Sequence, residues 1–265
     1  DELFFGYAFF AGVRIAQALR RLVPGPVIRR ARALLGEDRT GGMRNQVDAL
    51  LEYASAPIAR SFRHRMGWGP AARARLLRHG EPEPAESIYG RRLARYARLD
   101  DADALRRTLL GTWLVNDYLV KVDVATMAVA LEARSPFLDV DLVDLMLRVP
   151  GRIAFAGGRR KALLRPLAAR LLPAEILARP KSGFGIPIRE WLLGPLRGDY
   201  ARYVTRPGLA LHEWIDADAA AAAYAELEGG SRRADRVWLL FTLGVWSAMA
   251  LEGMSPETPL GGGSA

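Results

Sequence analysis

The stretch Tyr118-Leu-Val-Lys-Val-Asp-Val-Ala-Thr-Met-Ala-Val-Ala-Leu-Glu-Ala-Arg-Ser-Pro-Phe-Leu-Asp139 decides how this chain is read. Its first half continues a helical pattern that begins near residue 100. Leu114, Tyr118, Val122, Ala125 and Val129 recur at steps of three or four, which predicts one buried stripe on a long helix over 100–132. Asp100 or Asp101 is placed to cap its start. Asp117 and Lys121, four apart, share a face. Asp139 is placed to cap a further helix over 139–148. Glu132 and Arg134 read as a buried ion pair at a helix end that orients Pro136 and Asp139.

Outward from this stretch the chain stays helical. Residues 8–36 predict two helices separated by Pro24-Gly25-Pro26, and 45–66 a third mixed stretch. Residues 67–90 carry Gly67, Gly69, Pro70, Gly80, Pro82 and Pro84 around a short Ala/Arg-rich helix, the pattern of an irregular connection. Gly157-Gly158 marks a turn, 160–172 a helix, and Pro173-Ala-Glu the start of the next. Ala-rich 217–226 is a strong helix former. Strand patterns are few.

Composition narrows the function classes. The chain has no cysteine, which excludes disulfides, thiolate metal sites and a cysteine nucleophile. Three scattered histidines, His64, His79 and His212, do not make a histidine metal site. The apolar run 237–251 is shorter than the roughly 18 residues of a membrane span and predicts a buried helix. No signal peptide is visible. The net charge of +9 admits a nucleic-acid-binding module, but the arginines are spread over many helices, so nucleic acid is not the expected partner.

Only three of the 38 cationic side chains are lysines: Lys121, Lys161 and Lys181. A lysine presents a compact ammonium with an adjustable pKa, where arginine offers a permanently charged fork. Lys181 lies in Ala178-Arg-Pro-Lys-Ser-Gly-Phe-Gly-Ile-Pro187, where proline stiffens the chain and glycine lets backbone approach a ligand. Lys161 follows Gly157-Gly158-Arg-Arg at a predicted helix start, where free amides and the helix dipole suit phosphate. Two lysines and a helix start point to a polyphosphate ligand. For Lys121, pairing with Asp117 on a helix surface is the simpler reading.

Five segments in order resemble the synthetase domain of glutamine-dependent asparagine synthetases. They are Tyr118–Met127 with Leu131–Asp139, Gly158–Arg165, Leu172–Pro187, the Arg236-Val-Trp-Leu-Leu…Trp246 tail, and the opening Asp1-Glu-Leu-Phe-Phe-Gly-Tyr7. The resemblance implies a mainly α chain, the helical part of an α/β ATP-pyrophosphatase (PP-loop) synthetase domain covering 1–255, with 256–265 as a flexible tail. It implies a cytoplasmic ligase. ATP and Mg²⁺ would activate a carboxylate, typically that of aspartate, and ammonia from glutamine, supplied by an upstream glutaminase domain, would displace AMP. It implies Asp1 as a Mg²⁺-pyrophosphate ligand, Lys161 as a phosphate contact and Lys181 as the catalytic lysine. It assigns no role to Asp123.

The sequence departs from that family in several places. The phosphate-binding Ser-Gly-Gly-x-Asp-Ser loop and the acidic residue three places before Asp1 are not in it. Its first residue is not Met, and its opening is already patterned, so a fragment lacking part of the ATP site is expected. Phe5 stands where glycine is customary, and Phe9-Phe10 where a more polar pair is usual. These departures leave open a relative acting on another carboxylate, or a helical binding module descended from the enzyme.

Overall fold

Prolines, glycines and side-chain caps set the helix boundaries in a computed structural model that describes residues 1–35, 43–56, 58, 67–80, 85–179 and 185–254. Pro24 and Gly25 separate α1 (Phe9–Leu22) from α2 (Gly25–Leu35). α3 (Met43–Ser55) packs against both, with Arg32 on Asp48 at 3.1 Å. Pro70 occupies the first turn of α4 (Pro70–Leu76), where its missing N–H is not needed. α5 (Ala85–Ala94) precedes α6 (Asp101–Leu109), whose start is capped by the Asp100 carboxylate accepting from Ala102 and Asp103 N–H, each at 3.0 Å.

Between α6 and α7 (Val120–Met127) the helix does not stop but widens, and Leu110–Leu119 winds as a π-helix. Thr108 and Thr112 hydroxyls donate to the carbonyls four residues back, at 2.9 and 2.7 Å, next to Gly111, and such back-bonding loosens the regular ladder. α8 (Val140–Arg148) is capped by Asp139, as expected. α9 (Gly151–Ala154), α10 (Leu164–Leu171) and α11 (Ala174–Ala178) follow. Then come α12 (Ile188–Leu193), α13 (Arg197–Tyr200), α14 (Ala217–Glu228), capped by Asp216, and α15 (Ala234–Ala250).

No strand occurs among the described residues; a lone antiparallel bridge joins Leu77 and Ile215. The mainly α expectation therefore holds for them, and the parallel sheet of a PP-loop unit is not among them. No described helix is long and apolar enough to cross a membrane. The suggested tail at 256–265 lies outside the described residues.

The chain divides into two units, Asp1–Arg63 with Ala85–Lys181, and His64–Pro84 with Ser182–Ala265. The first buries Phe5, Phe10, Val13, Leu93, Leu105, Leu109 and Phe155 together. The second buries Leu192, Val204, Leu211, Leu227, Val237 and Leu240. Each such side chain contributes roughly 1.5–3 kcal/mol when fully withdrawn from water.

Three local expectations need correction. The stripe Leu114–Val129 is not buried: Leu114 and Tyr118 are half-buried, Ala125 is exposed, and Val122 and Val129 are 44% and 74% exposed. Helical spacing puts these residues on one face, but it does not require another surface to cover that face. The helix expected over 160–172 begins only at Leu164, because Lys161 has φ 55°, a left-handed conformation that no helix continues through. Glu132 and Arg134 do pair, at 2.7 Å, but on the surface, with side chains 68% and 83% exposed.

Candidate functional site

Residues 1–6 of the first unit form a tight turn closed by the Gly6 N–H donating to the Asp1 carbonyl at 2.7 Å. Gly6 is required there: a Cβ would strike the Asp1 carboxylate and come within 2.7 Å of Lys161 Cε. The next residue but one upstream of Gly6, Phe4, offers its carbonyl to the Lys161 N–H at 3.2 Å. This bond brings the loop after α9 against the opening turn. Its consequence is the central contact of the site, Lys161 Nζ on Asp1 Oδ1 at 2.6 Å.

Lys161 reaches Asp1 because the backbone before it turns through left-handed glycines, Gly157 (φ 62°) and Gly158 (φ 70°), and then through Lys161 itself. The Lys161 carbonyl accepts from the Leu164 and Arg165 N–H groups, both at 3.0 Å. The lysine thus stands one turn ahead of α10, with its ammonium directed back to Asp1. Both partners remain accessible to water, the lysine side chain more so than the aspartate. An ion pair of that kind adds little to stability, about 0–1 kcal/mol. Its charges stay available to a ligand.

Glu2 behaves differently. It is buried, and one of its oxygens accepts the Tyr7 hydroxyl at 2.7 Å. Burial, then the Glu2 carboxylate, raises the Tyr7 phenol above its ordinary range, so Tyr7 remains a donor. The Tyr7 ring stacks on Phe9 and on Trp113 of the π-helical segment at 5.1 and 5.6 Å. Phe9, which departs from the more polar family pattern, therefore extends an aromatic wall beside the Asp1 turn.

Of the lysines singled out by sequence, Lys161 joins Asp1. Lys121 lies on the surface, 3.2 Å from Asp117 and 4.8 Å from the Tyr118 ring centroid, as its helical spacing implied. Lys181 lies outside the described residues, as do Pro180 and residues 182–184. Asp123 is exposed, and its carbonyl accepts the Thr126 hydroxyl. Among the described residues no three His, Cys, Asp or Glu side chains cluster in a way that could hold a metal ion unaided. One carboxylate still suits Mg²⁺, which commonly takes one or two carboxylates and completes its shell with phosphate oxygens and water.

Two residues stand behind this site: Phe5, which the sequence marked as a departure, and Arg106, which sequence reading missed. Phe5 is fully buried with φ 55°, a left-handed geometry that glycine adopts without cost. Its occurrence in a customary glycine position was the available signal. Arg106 is 1% exposed with its guanidinium 4.9 Å from the Phe5 ring centroid. Nothing in Arg106-Arg107 distinguishes it from the chain's many surface arginines.

Comparison with known proteins gives a consistent result. The Asparagine synthase family model matches residues 1–249. A provisionally named glutamine-hydrolysing asparagine synthetase of Mycobacterium tuberculosis is 30% identical over 260 residues, 95% of this chain and 38% of that protein. Asparagine synthetase (glutamine-hydrolysing) 1 of Bacillus subtilis is 30% identical over 196 residues, 72% of this chain and 30% of its own length. The chain thus spans well under half the length of these curated relatives. No solved structure matches it.

Proposed function

The chain belongs to the asparagine synthase family, and from that premise we propose that it carries the carboxylate-activating part of an ATP-dependent, amide-forming ligase. The substrate read as most consistent is the aspartate side chain, and the product asparagine. A carboxylate oxygen attacks the α-phosphorus of ATP, the bond to pyrophosphate breaks, and an acyl-adenylate forms. Ammonia released from glutamine then attacks the acyl carbon, AMP departs with the C–O bond electrons, and the nitrogen loses a proton.

The observation that carries this reading is the Lys161 ammonium held on the Asp1 carboxylate at 2.6 Å, beside a glycine-built turn. Magnesium, when bound, neutralises charge on the departing pyrophosphate. Asp1 is the residue to hold it. Lys161, one turn ahead of α10, is the residue to meet the phosphate oxygens, and exchanging a carboxylate for a phosphate needs only a small swing of its flexible stem. Lys181 is assigned to the oxyanion that forms when the amine attacks. A preplaced donor of that kind lowers such a barrier by roughly 3–4 kcal/mol.

The test is aspartate-dependent exchange of labelled pyrophosphate into ATP, measured on the protein as its gene encodes it. Lys161→Ala should lower exchange strongly while leaving the circular dichroism spectrum intact. Lys181→Ala should spare exchange more than it spares amide formation. Wild-type exchange in a folded Lys161→Ala protein would sink the phosphate role. Exchange that responds to another carboxylic acid and not to aspartate would reassign the substrate.

A further inference from the structure

The strained turn that carries Asp1 and the loop that carries Lys161 have a common buried neighbour, and it is a charged one. Arg106 on α6 donates through Nη1 to the Met146 carbonyl at 3.0 Å and through Nη2 to the Val149 carbonyl at 3.1 Å. These carbonyls belong to the C-terminal end of α8, where the helix ladder runs out. The same Nη2 lies 2.7 Å from Asp103 Oδ1, one turn earlier on α6. Asp103 Oδ2 in turn accepts the Gly151 N–H at 2.7 Å, at the first residue of α9. The Asp103–Arg106 pair therefore grips both sides of the corner between α8 and α9.

That corner leads directly to the lysine. α9 is followed by Phe155, whose ring lies 5.7 Å from that of Phe5, and the chain then turns through Gly157 and Gly158 to Lys161. The other arm is shorter. The Arg106 guanidinium lies 4.9 Å from the Phe5 ring centroid, a cation–π contact in a dry setting. Phe5 is one residue beyond Phe4, whose carbonyl receives the Lys161 N–H. Both non-glycine residues with left-handed φ that flank the site, Phe5 and Lys161, thus lie at the ends of paths that begin at Arg106. A left-handed L-residue is strained and persists only where its surroundings hold it.

We propose that Arg106 is a positioning residue that sets the Asp1–Lys161 pair, gripping the lysine's loop through the α8–α9 corner and the aspartate's turn through the ring of Phe5. Its relevance to catalysis rests on the amide-forming reading above; its effect on the pair does not. Phe5, fully buried and left-handed at φ 55°, makes the turn dependent on a buried cation. Without Arg106 the Phe5 ring loses its charged face and the corner loses two bonds. The turn is then free to relax toward right-handed backbone, and Lys161 to leave Asp1.

The pair is directly observable in the protein as its gene encodes it: with lysine labelled by ¹³C at the ε carbon, Lys161→Arg identifies the signal of interest. A lysine held in one geometry shows two inequivalent ε-protons, whereas a mobile one shows an averaged pair. In the wild type the Lys161 protons should be inequivalent. In Arg106→Met, with helix content retained, they should average, and Arg106→Lys should not restore them, because one ammonium cannot bond both carbonyls and face the ring. Phe5→Leu, which keeps Arg106, should average them too. A folded Arg106→Met protein with an unchanged Lys161 signal overturns the proposal. If Arg106→Met does not fold, Phe5→Leu decides in the same way. Pyrophosphate exchange in the same variants should fall by roughly a hundred-fold, the cost of an ångström-scale misplacement. Absence of exchange from the wild type would count against the enzymatic reading alone, since the proton signals report the pair without turnover.

Discussion

The two units solve the problem of a helical core in opposite ways. The second is built on apolar fit. α15 lays Val237, Leu240 and Phe241 into it, and Gly244 lets that helix approach the Tyr203 carbonyl so closely that a Cβ would overlap it. Two of its tyrosine hydroxyls end on backbone carbonyls, Tyr200 on Ala220 at 3.0 Å and Tyr224 on Leu192 at 2.6 Å. The first unit buries an arginine with a carboxylate, and contains all three left-handed non-glycine residues found among the described residues, Phe5, Ala130 and Lys161. It also leaves the valines of α7 in water. Strain and buried charge are costly, and they gather where geometry must be held for a ligand. The strained residues and the buried arginine–carboxylate pair lie in the same unit as the proposed Asp1–Lys161 site, whereas the second unit buries a single carboxylate, Asp199, among its described residues.

The contrast can be broken most sharply at Lys161. If the first unit carries the reaction, Lys161→Ala should lower aspartate-dependent pyrophosphate exchange about a hundred- to thousand-fold, with an unchanged thermal midpoint. A loss of stability with little loss of exchange would return Lys161 to an ordinary surface lysine. In the second unit the corresponding lesion is purely structural. Gly244→Ala should destabilise by about 1–3 kcal/mol, as overpacking does, seen as a lower denaturation midpoint. An unaltered midpoint would mean that the α15 contact is looser than the Tyr203 approach indicates.

A smaller effect should come from the buried carboxylate. Burial pushes Asp103 above the usual carboxylate range, opposed by the Gly151 N–H and the nearby Arg106 charge. A raised value means that the folded chain holds this proton more tightly than the unfolded chain. The stability so contributed is full below the unfolded value near pH 4 and is lost as pH rises through the folded one. The stability of wild type relative to Asp103→Asn, from urea melts at several pH values, should therefore decline across mildly acidic pH. A flat difference would show that Asp103 ionises as it does in the unfolded chain. The smallest effect belongs to α7: Val124→Ser, at a side chain 64% exposed, should change stability by no more than about 0.5 kcal/mol in this chain. A larger loss would reveal that something covers these valines in solution.

Much of the secondary structure could be read from the sequence because its causes are local. Asp100, Asp139 and Asp216 each cap a helix from a few residues away, and Pro24-Gly25 and Pro173 break the chain where they stand. The α7 stripe failed because periodicity states which residues share a face, not whether another surface covers that face. The Glu132–Arg134 pair failed similarly: spacing permits the contact but does not fix its burial.

By itself, then, the sequence determined a mainly helical chain, its caps and breaks, the ordered segments of the family it belongs to, and the rarity of its lysines. Only the tertiary structure decided that residues 1 and 161 meet, that Phe5 takes a glycine-like conformation, and that one arginine among many is buried behind both. The physical reason is range. A cap or a turn is settled by a handful of neighbouring bonds, whereas a contact between distant segments exists only after the core has closed around it, and no short pattern encodes that closure.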